Sequence, residues 1–307
     1  MKNNYLICVI GPTAVGKTSM AIELANAFQT EIFSADSRQF YQELSIGTAK
    51  PTEEEQKAVK HHYVDCVSIQ EEYNSSDFEK DIVPHLNKFY QTNKVALLCG
   101  GSGMYVNAVL KGFDNELPSA DTTIRKQLLS TMEKEGIQAL QEQLKQLDSV
   151  FYDEVDLHNS KRLMRAIEVC LITQKPYSSL RLGKGKTRNF IPIQIGLELE
   201  RHKLYSRINK RVDEMIKAGL LKEVETVNQH REMNALKTVG YRELFDHLDG
   251  KMSLEDAIEK IKVNSRRYAK RQLTWFKKDL EIQWYTPEQK AQIIEYIRKR
   301  IAHFEQS

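Results

Sequence analysis

No apolar run in this sequence is long enough to cross a membrane. The first run, over residues 5–10, is too short even for the hydrophobic region of a signal peptide, and no cleavage site follows it. We therefore expect neither a membrane span nor an export signal. Cysteine is scarce: Cys8, Cys66, Cys99 and Cys170 are widely separated, and none are spaced as in a zinc site or a dithiol redox motif. Reduced, mostly buried thiols of a cytoplasmic protein are expected instead. Charge of one sign is also lacking. Lys and Arg number 45 against 42 Asp and Glu, a net charge of +3, so any polyanion-binding surface must come from local clustering. There is no internal repeat and no low-complexity segment.

What is present begins with Gly11-Pro12-Thr13-Ala14-Val15-Gly16-Lys17-Thr18, which satisfies the phosphate-loop pattern G-x-x-x-x-G-K-[ST]. An apolar run precedes it and reads as a buried strand; the run after it reads as a helix. Strand, glycine-rich turn and helix N-terminus together present backbone N–H groups to phosphate oxygens. Lys17 would add a point charge, and the Thr18 hydroxyl a ligand for Mg²⁺.

A second strand is expected to carry Asp36 at its C-terminal end, on the rim where open α/β sheets bind ligands. That carboxylate could serve as a metal partner, a general base or a helix N-cap. A helix over 52–60, a strand over 61–67 and a helix capped by Ser76-Asp77 and running to about residue 90 follow. His61 and His62 are adjacent on the expected strand, so they point to opposite faces and make a poor metal pair. The buried strand over 94–99 ends in Gly100-Gly101-Ser102-Gly103, a second glycine turn. It lacks the Asp with which phosphate-loop ATPases hold Mg²⁺, and no switch loop or guanine-specificity motif is found. An ATP-driven motor or a GTPase is therefore disfavoured.

From about residue 116 strand patterns stop. Helices are expected over 119–135 and 137–147, with a third opened by Asn159-Ser160, in which Leu163, Ala166, Ile167 and Cys170 form the buried stripe. Lys161, Arg162 and Arg165 lie off that stripe, facing solvent or a polyanion. A flexible basic linker is expected over 183–188, and a strand over 190–197 should rejoin the sheet. The remainder reads as helical. A helix over 201–218 ends at Gly219, and one starting at Ser253-x-x-Asp256 carries Lys262, Arg266, Arg267, Lys270, Arg271, Lys277 and Lys278 with Tyr268, Trp275 and Phe276 interleaved. Basic and aromatic groups without intervening acids suit unstacked RNA bases and phosphates.

Seven motifs occur in order: G-P-T-A-V-G-K-T at 11–18, S-A-D-S-R-Q at 34–39, I-G-T-A-K-P at 46–51, G-G-S-G-M-Y at 100–105, K-R-L-M-R-A at 161–166, V-G-Y-R-E at 239–243 and K-R-Q-L-T-W-F at 270–276. As an ordered set spanning nearly the whole chain, they resemble the tRNA dimethylallyltransferases, the isopentenyl-tRNA transferases of bacteria. The resemblance implies an α/β fold. A P-loop NTPase-like parallel sheet core with C-terminal helices would occupy 1–115 and 189–307, and an all-helical insertion domain that contacts tRNA would occupy 116–188. It implies a monomeric enzyme that transfers the dimethylallyl group of dimethylallyl diphosphate to N6 of the adenosine 3′ of the anticodon. The tRNAs concerned read codons beginning with U; diphosphate leaves and Mg²⁺ assists.

By the same resemblance Gly11, Pro12, Thr13, Ala14, Val15, Gly16, Lys17 and Thr18 cradle the diphosphate, with Arg242 as a further ligand. Asp36 is the catalytic base, aided by Lys17 and Thr18. Asp36, Ser37, Arg38, Gln39, Ser102, Arg125, Lys161, Arg162, Leu163, Met164 and Arg165 meet the tRNA. Ser102 replaces the family's more usual Thr and keeps the hydroxyl. The rival readings are an adenylate dimethylallyltransferase, a small-molecule phosphate-loop kinase and a non-enzymatic RNA-binding module.

Overall fold

The computed structural model describes residues 3–113, 117–181 and 185–306. The chain opens with β1 (Tyr5–Ile10), α1 (Lys17–Phe28), β2 (Ile32–Ser34), α2 (Glu53–Ala58), β3 (His61–His62), α3 (Ser75–Phe89), β4 (Val95–Gly100) and α4 (Gly103–Leu110). Five helices follow: α5 (Thr122–Glu135), α6 (Ile137–Leu147), α7 (Ser149–Glu154), α8 (Ser160–Thr173) and α9 (Tyr177–Leu180). The chain then returns through β5 (Ile191–Leu197), α10 (Arg201–Lys217), α11 (Leu220–Thr226), α12 (Tyr241–Leu248), α13 (Leu254–Phe276), β6 (Gln283–Tyr285) and α14 (Lys290–Gln306). Among the described residues no helix is long and apolar enough to cross a membrane.

The strands form one parallel sheet in the order β3-β2-β4-β1-β5-β6. Every residue of β1 is buried because both faces of the sheet are covered. Tyr5, Ile7 and Val9 enter a core shared with α1, α10 and α14, while Leu6, Cys8 and Ile10 enter one shared with α3 and α4. With all strands parallel, the phosphate loop after β1, Asp36 after β2 and the glycine turn after β4 share one rim.

The chain divides into two compact units, one of residues 1–110 with 188–307 and one of residues 111–187. The boundary expected at 115–116 and residues 183–184 of the expected linker lie outside the described residues. Within the second unit, Leu128, Leu140, Leu144, Phe151, Leu163, Ala166 and Ile167 form the core. Its short helices α7 and α9 are too brief to leave a periodic signal.

Four expectations are corrected. The strand over 61–67 stops at His62, because Tyr63 and Asp65 take positive φ values of 62° and 53°. The N-cap of α3 is Asn74, two residues before Ser76: its side chain accepts from the Ser76 and Asp77 N–H groups, and of the expected pair Asp77 completes the capping box by accepting the Asn74 N–H at 3.2 Å. The region after 197 is not wholly helical, since β6 pairs with β5.

The fourth correction concerns Arg188, which is no flexible linker residue. Its guanidinium is buried, meets the Glu79 carboxylate at 2.8 Å, and donates to the Ala108 and Val109 carbonyls at 2.8 Å each. These are orphan carbonyls at the end of α4. Breaking a buried pair leaves a charge without its partner. Glu79→Ala should therefore lower the unfolding free energy by about 3–5 kcal/mol. Denaturant titration would measure it, and a loss below about 1 kcal/mol would show that the pair does not anchor this return of the chain.

Candidate active site

A cavity of about 800 Å³ opens on the rim of the first unit. Its floor is the phosphate loop. Gly16, at φ 107°, is the N-cap of α1 and has no side chain to occupy the first helical amides. The Lys17 ammonium donates to the Pro12 carbonyl at 2.8 Å. Burial lowers its pKa to about 8, against the fields of Cys99 and Asp36, which raise it. Two guanidinium groups reach the loop from α10: Arg207 donates to the Val15 carbonyl at 3.4 Å, and Arg211 to the Thr13 hydroxyl at 3.3 Å. Burial also lowers the pKa of Arg211, opposed by Asp36 and Glu55. Three cations thus converge on the phosphate loop at the uncapped N-terminus of α1, which favours an anionic ligand.

The loop is tied to the second glycine turn by Gln272 of α13. Its Oε1 accepts the Thr13 N–H and its Nε2 donates to the Gly101 carbonyl, both at 2.8 Å. Close approach explains the glycines here, for a Cβ on Gly100 would lie 2.3 Å from the Ala35 oxygen.

Asp36 stands two residues beyond β2. Its Oδ1 accepts the Arg38 N–H at 3.0 Å, a local turn with no helix after it, so it is not a helix N-cap. The Ser37 N–H donates to the Ser102 Oγ at 3.0 Å, and the Ser102 hydroxyl donates to the Ser37 Oγ at 3.1 Å. Tyr268 is half-buried beside them; desolvation first, then the Asp36 charge, raises its phenol pKa. Arg38, Gln39 and Arg242 also line the cavity, as does the loop 47–52. Beside the phosphate loop the Thr18 hydroxyl and Asp36 carboxylate are hard oxygen donors, and no group of three or more His, Cys, Asp or Glu fit to hold a metal occurs among the described residues. Such a donor set suits Mg²⁺ bound largely through ligand oxygens and water.

The remaining expected residues belong to the second unit. The fully buried Glu168 carboxylate receives Arg125 through both oxygens at 2.9 and 3.2 Å, and Arg165 at 2.7 Å. Lys161 and Arg162 are exposed and Met164 is partly buried. Leu163 is fully buried in the core, so its side chain presents nothing to a partner.

The family model described as IPP transferase matches residues 39–279. The chain belongs to this family. It is 49% identical over 300 residues to the tRNA dimethylallyltransferase of Flavobacterium johnsoniae, covering 95% of this chain and 97% of that one. It is 47% identical over 301 residues to tRNA dimethylallyltransferase 1 of Bacteroides fragilis, covering 98% and 100%. The full-length tRNA isopentenylpyrophosphate transferase of Bacillus halodurans superposes with a TM-score of 0.74 at 34% identity, covering 100% of this chain and 99% of that one. A eukaryotic dimethylallyltransferase acting on tRNA superposes with a TM-score of 0.77 at 24% identity, covering 94% and 78%, and shares the fold.

Arg207, Arg211 and Gln272 line this site without belonging to any residue set that the sequence motifs single out as site residues. The first two lie one helical turn apart, a signal that could have been read as a paired cationic face. The basic stretch of α13 also divides. Lys262 pairs with Asp213 and Glu259, and Arg266 donates to Asn209, whereas Arg267, Lys270, Arg271, Trp275 and Lys278 line a second concavity of about 430 Å³.

The Lys17 pKa gives a test with a definite sign. The ammonium is charged below about 8 and neutral above it. The ratio of wild-type to Lys17→Ala affinity for inorganic diphosphate should therefore fall as pH rises through about 8, approaching tenfold per unit until the bound-state pKa is reached. Calorimetry from pH 6.5 to 9.5 would measure it. A constant ratio would mean that Lys17 does not meet the anion as a titrating cation.

Proposed function

We propose that this enzyme transfers the dimethylallyl group of dimethylallyl diphosphate to N6 of the adenosine 3′ of the anticodon, in tRNAs that read U-initial codons. One observation carries the reading. Lys17, Arg207 and Arg211 converge on the phosphate loop, and the Asp36 carboxylate faces the same cavity from the next strand. An anion-holding side and a proton-accepting side are what this transfer requires.

In the step, the bond between C1 of the dimethylallyl group and the diphosphate oxygen breaks, and the electron pair leaves with diphosphate. A bond forms between C1 and N6, and the N6 proton passes to the Asp36 carboxylate. The loop amides, Lys17, Arg207 and Arg211 stabilise charge growing on the leaving oxygen. Thr18 would hold Mg²⁺, which when bound supplies further neutralisation of the diphosphate. Arg242, exposed at the cavity wall, would bind the same anion. An adenine stacked in an anticodon loop must turn outward to reach this cavity. Ser37, Arg38 and Gln39 line the wall it would meet, with Ser102 hydrogen-bonded to Ser37 beside it. Ser102 would join them in meeting the RNA, and Arg125, Lys161, Arg162 and Arg165 of the helical unit, with Met164, would contact it as well. The reading includes monomeric action in the cytoplasm.

Incubation with dimethylallyl diphosphate, Mg²⁺ and an unmodified anticodon stem-loop should add one dimethylallyl mass to a single adenosine, with little transfer to AMP, ADP or ATP. Transfer to free adenylates alone, or phosphoryl transfer from ATP to small metabolites without prenyl transfer, would overturn the proposal. Asp36→Ala should slow the single-turnover step by about 10²-fold or more while the stem-loop still binds; an unaltered rate would remove Asp36 as the base.

A further inference from the structure

The motif I-G-T-A-K-P enters the cavity wall on a loop whose backbone is held from far along the chain. Three successive N–H groups, of Ser45, Ile46 and Gly47, converge on the Glu223 carboxylate of α11. Oε2 accepts Ser45 at 3.0 Å and Ile46 at 2.7 Å, and Oε1 accepts Gly47 at 2.9 Å. The fourth donor is the Tyr241 hydroxyl of α12, at 2.6 Å from Oε1. Successive backbone N–H groups of this kind form an anion-binding nest. Here the protein's own carboxylate fills it, so the nest is closed to a phosphate.

Tyr241 acts twice. Its ring lies where a side chain on residue 47 would go, since a Cβ on Gly47 would stand 2.6 Å from the ring. Burial, and then the Glu223 charge, raise its phenol pKa, so the hydroxyl stays a donor at neutral pH. Two of the ordered motifs, at 46–51 and 239–243, thus meet each other through Glu223, which belongs to neither.

The restraint continues toward the reacting rim. The carbonyls of Thr48 and Ala49, immediately after the held segment, accept both contacts of the Gln39 Nε2, at 3.3 and 3.0 Å, and the Gln39 Oε1 receives the Ser34 hydroxyl at 3.3 Å. Gln39 is three residues from Asp36, at the end of the same turn. A contiguous set of hydrogen bonds therefore runs from α11 and α12, through loop 45–49, to the segment that bears the base.

We propose that Glu223 and Tyr241 are positioning residues for the transfer reaction: they fix loop 45–47 and, through Thr48, Ala49 and Gln39, hold the Asp36 turn against the acceptor adenosine. This rests on the function proposed above. Neither side chain touches the reacting atoms. Their effect falls on the acceptor side of the cavity and leaves the phosphate loop, held separately by Gln272, undisturbed.

The test uses the full chain and two variants, Glu223→Gln and Tyr241→Phe, with two readouts. Amide exchange at Ser45, Ile46 and Gly47 reads the clamp itself, and single-turnover prenyl transfer to the anticodon stem-loop, run over a range of dimethylallyl diphosphate concentrations, reads its consequence in rate and KM. In Glu223→Gln the three amides should exchange at least tenfold faster. The transfer rate should fall about tenfold or more, as expected for a misplaced reacting group, with KM for dimethylallyl diphosphate unchanged within twofold. Tyr241→Phe keeps the ring against Gly47 and should move the same readouts in the same direction by a smaller factor; it carries the test should Glu223→Gln not fold. Faster exchange with an unaltered transfer rate, unaltered exchange, or an equal rise in KM for dimethylallyl diphosphate would each overturn the proposal. Should wild-type protein fail to prenylate the stem-loop, the proposed function fails, and the exchange data still report whether the clamp exists.

Discussion

One side-chain amide holds the two halves of the cavity floor at a fixed separation. Gln272 accepts from Thr13 on the phosphate loop and donates to Gly101 on the second glycine turn, and it is itself buried. Its orientation is dictated, because a flipped amide would set its NH₂ against the Thr13 N–H and its oxygen against the Gly101 carbonyl. A carboxylate of similar length could accept from Thr13 but not donate to Gly101, and an ammonium could donate to Gly101 but not accept from Thr13, whereas an amide offers both from one planar group. The helix that supplies it also places Trp275 against Gly103, where a Cβ would lie 2.2 Å from the ring. Helix α13 therefore acts as a brace across the C-terminal rim of the sheet.

Beside that brace, cations stand close together. Lys17, Arg207 and Arg211 surround one loop, and the two whose pKa values shift are both lowered by burial. Arg207 is exposed, but Lys17 and Arg211 hold part of their charge away from water at a cost, which an arriving anion offsets. A group whose negative charge grows during reaction gains more than its ground state does, and this is the electrostatic form of catalysis the proposed transfer would use.

How much of this was legible in the sequence follows from the range over which each feature is encoded. The phosphate loop, β1 and β5 are contiguous patterns, readable wherever they occur. Asp36 was placed on the right rim because strand ends in a parallel sheet share one side. Arg188 was misread because its basic, glycine-containing surroundings look like a linker, while its partner Glu79 lies 109 residues away. Arg207 and Arg211 contact residues 192 and 198 positions distant, and Gln272 contacts one 259 away, so no local window contains both ends of these bonds. The strand after His62 ended on two non-glycine residues in left-handed conformation, which propensity does not anticipate. Strand β6 is three residues between helices, short enough that pairing with β5, and not its own pattern, defines it.

The end of β4 shows why the phosphate loop suits transfer from a diphosphate better than ATP-driven work. The strand that would carry a metal-holding acid ends instead in Cys99 and Gly100. Burial pushes the Cys99 thiol up to about 12, with Lys17 opposing and Asp36 reinforcing the shift, so the thiol is neutral at physiological pH. A carboxylate at that position would pair with Lys17 and compete with the anion for it. With a neutral thiol there, the Lys17 ammonium makes its hydrogen bond to a carbonyl oxygen, that of Pro12, and keeps its full charge for the ligand. Asp36, whose field reaches Lys17, sits instead on the turn that Ser102 and Gln39 hold in place, which separates the acidic function from the cationic one across a single cavity.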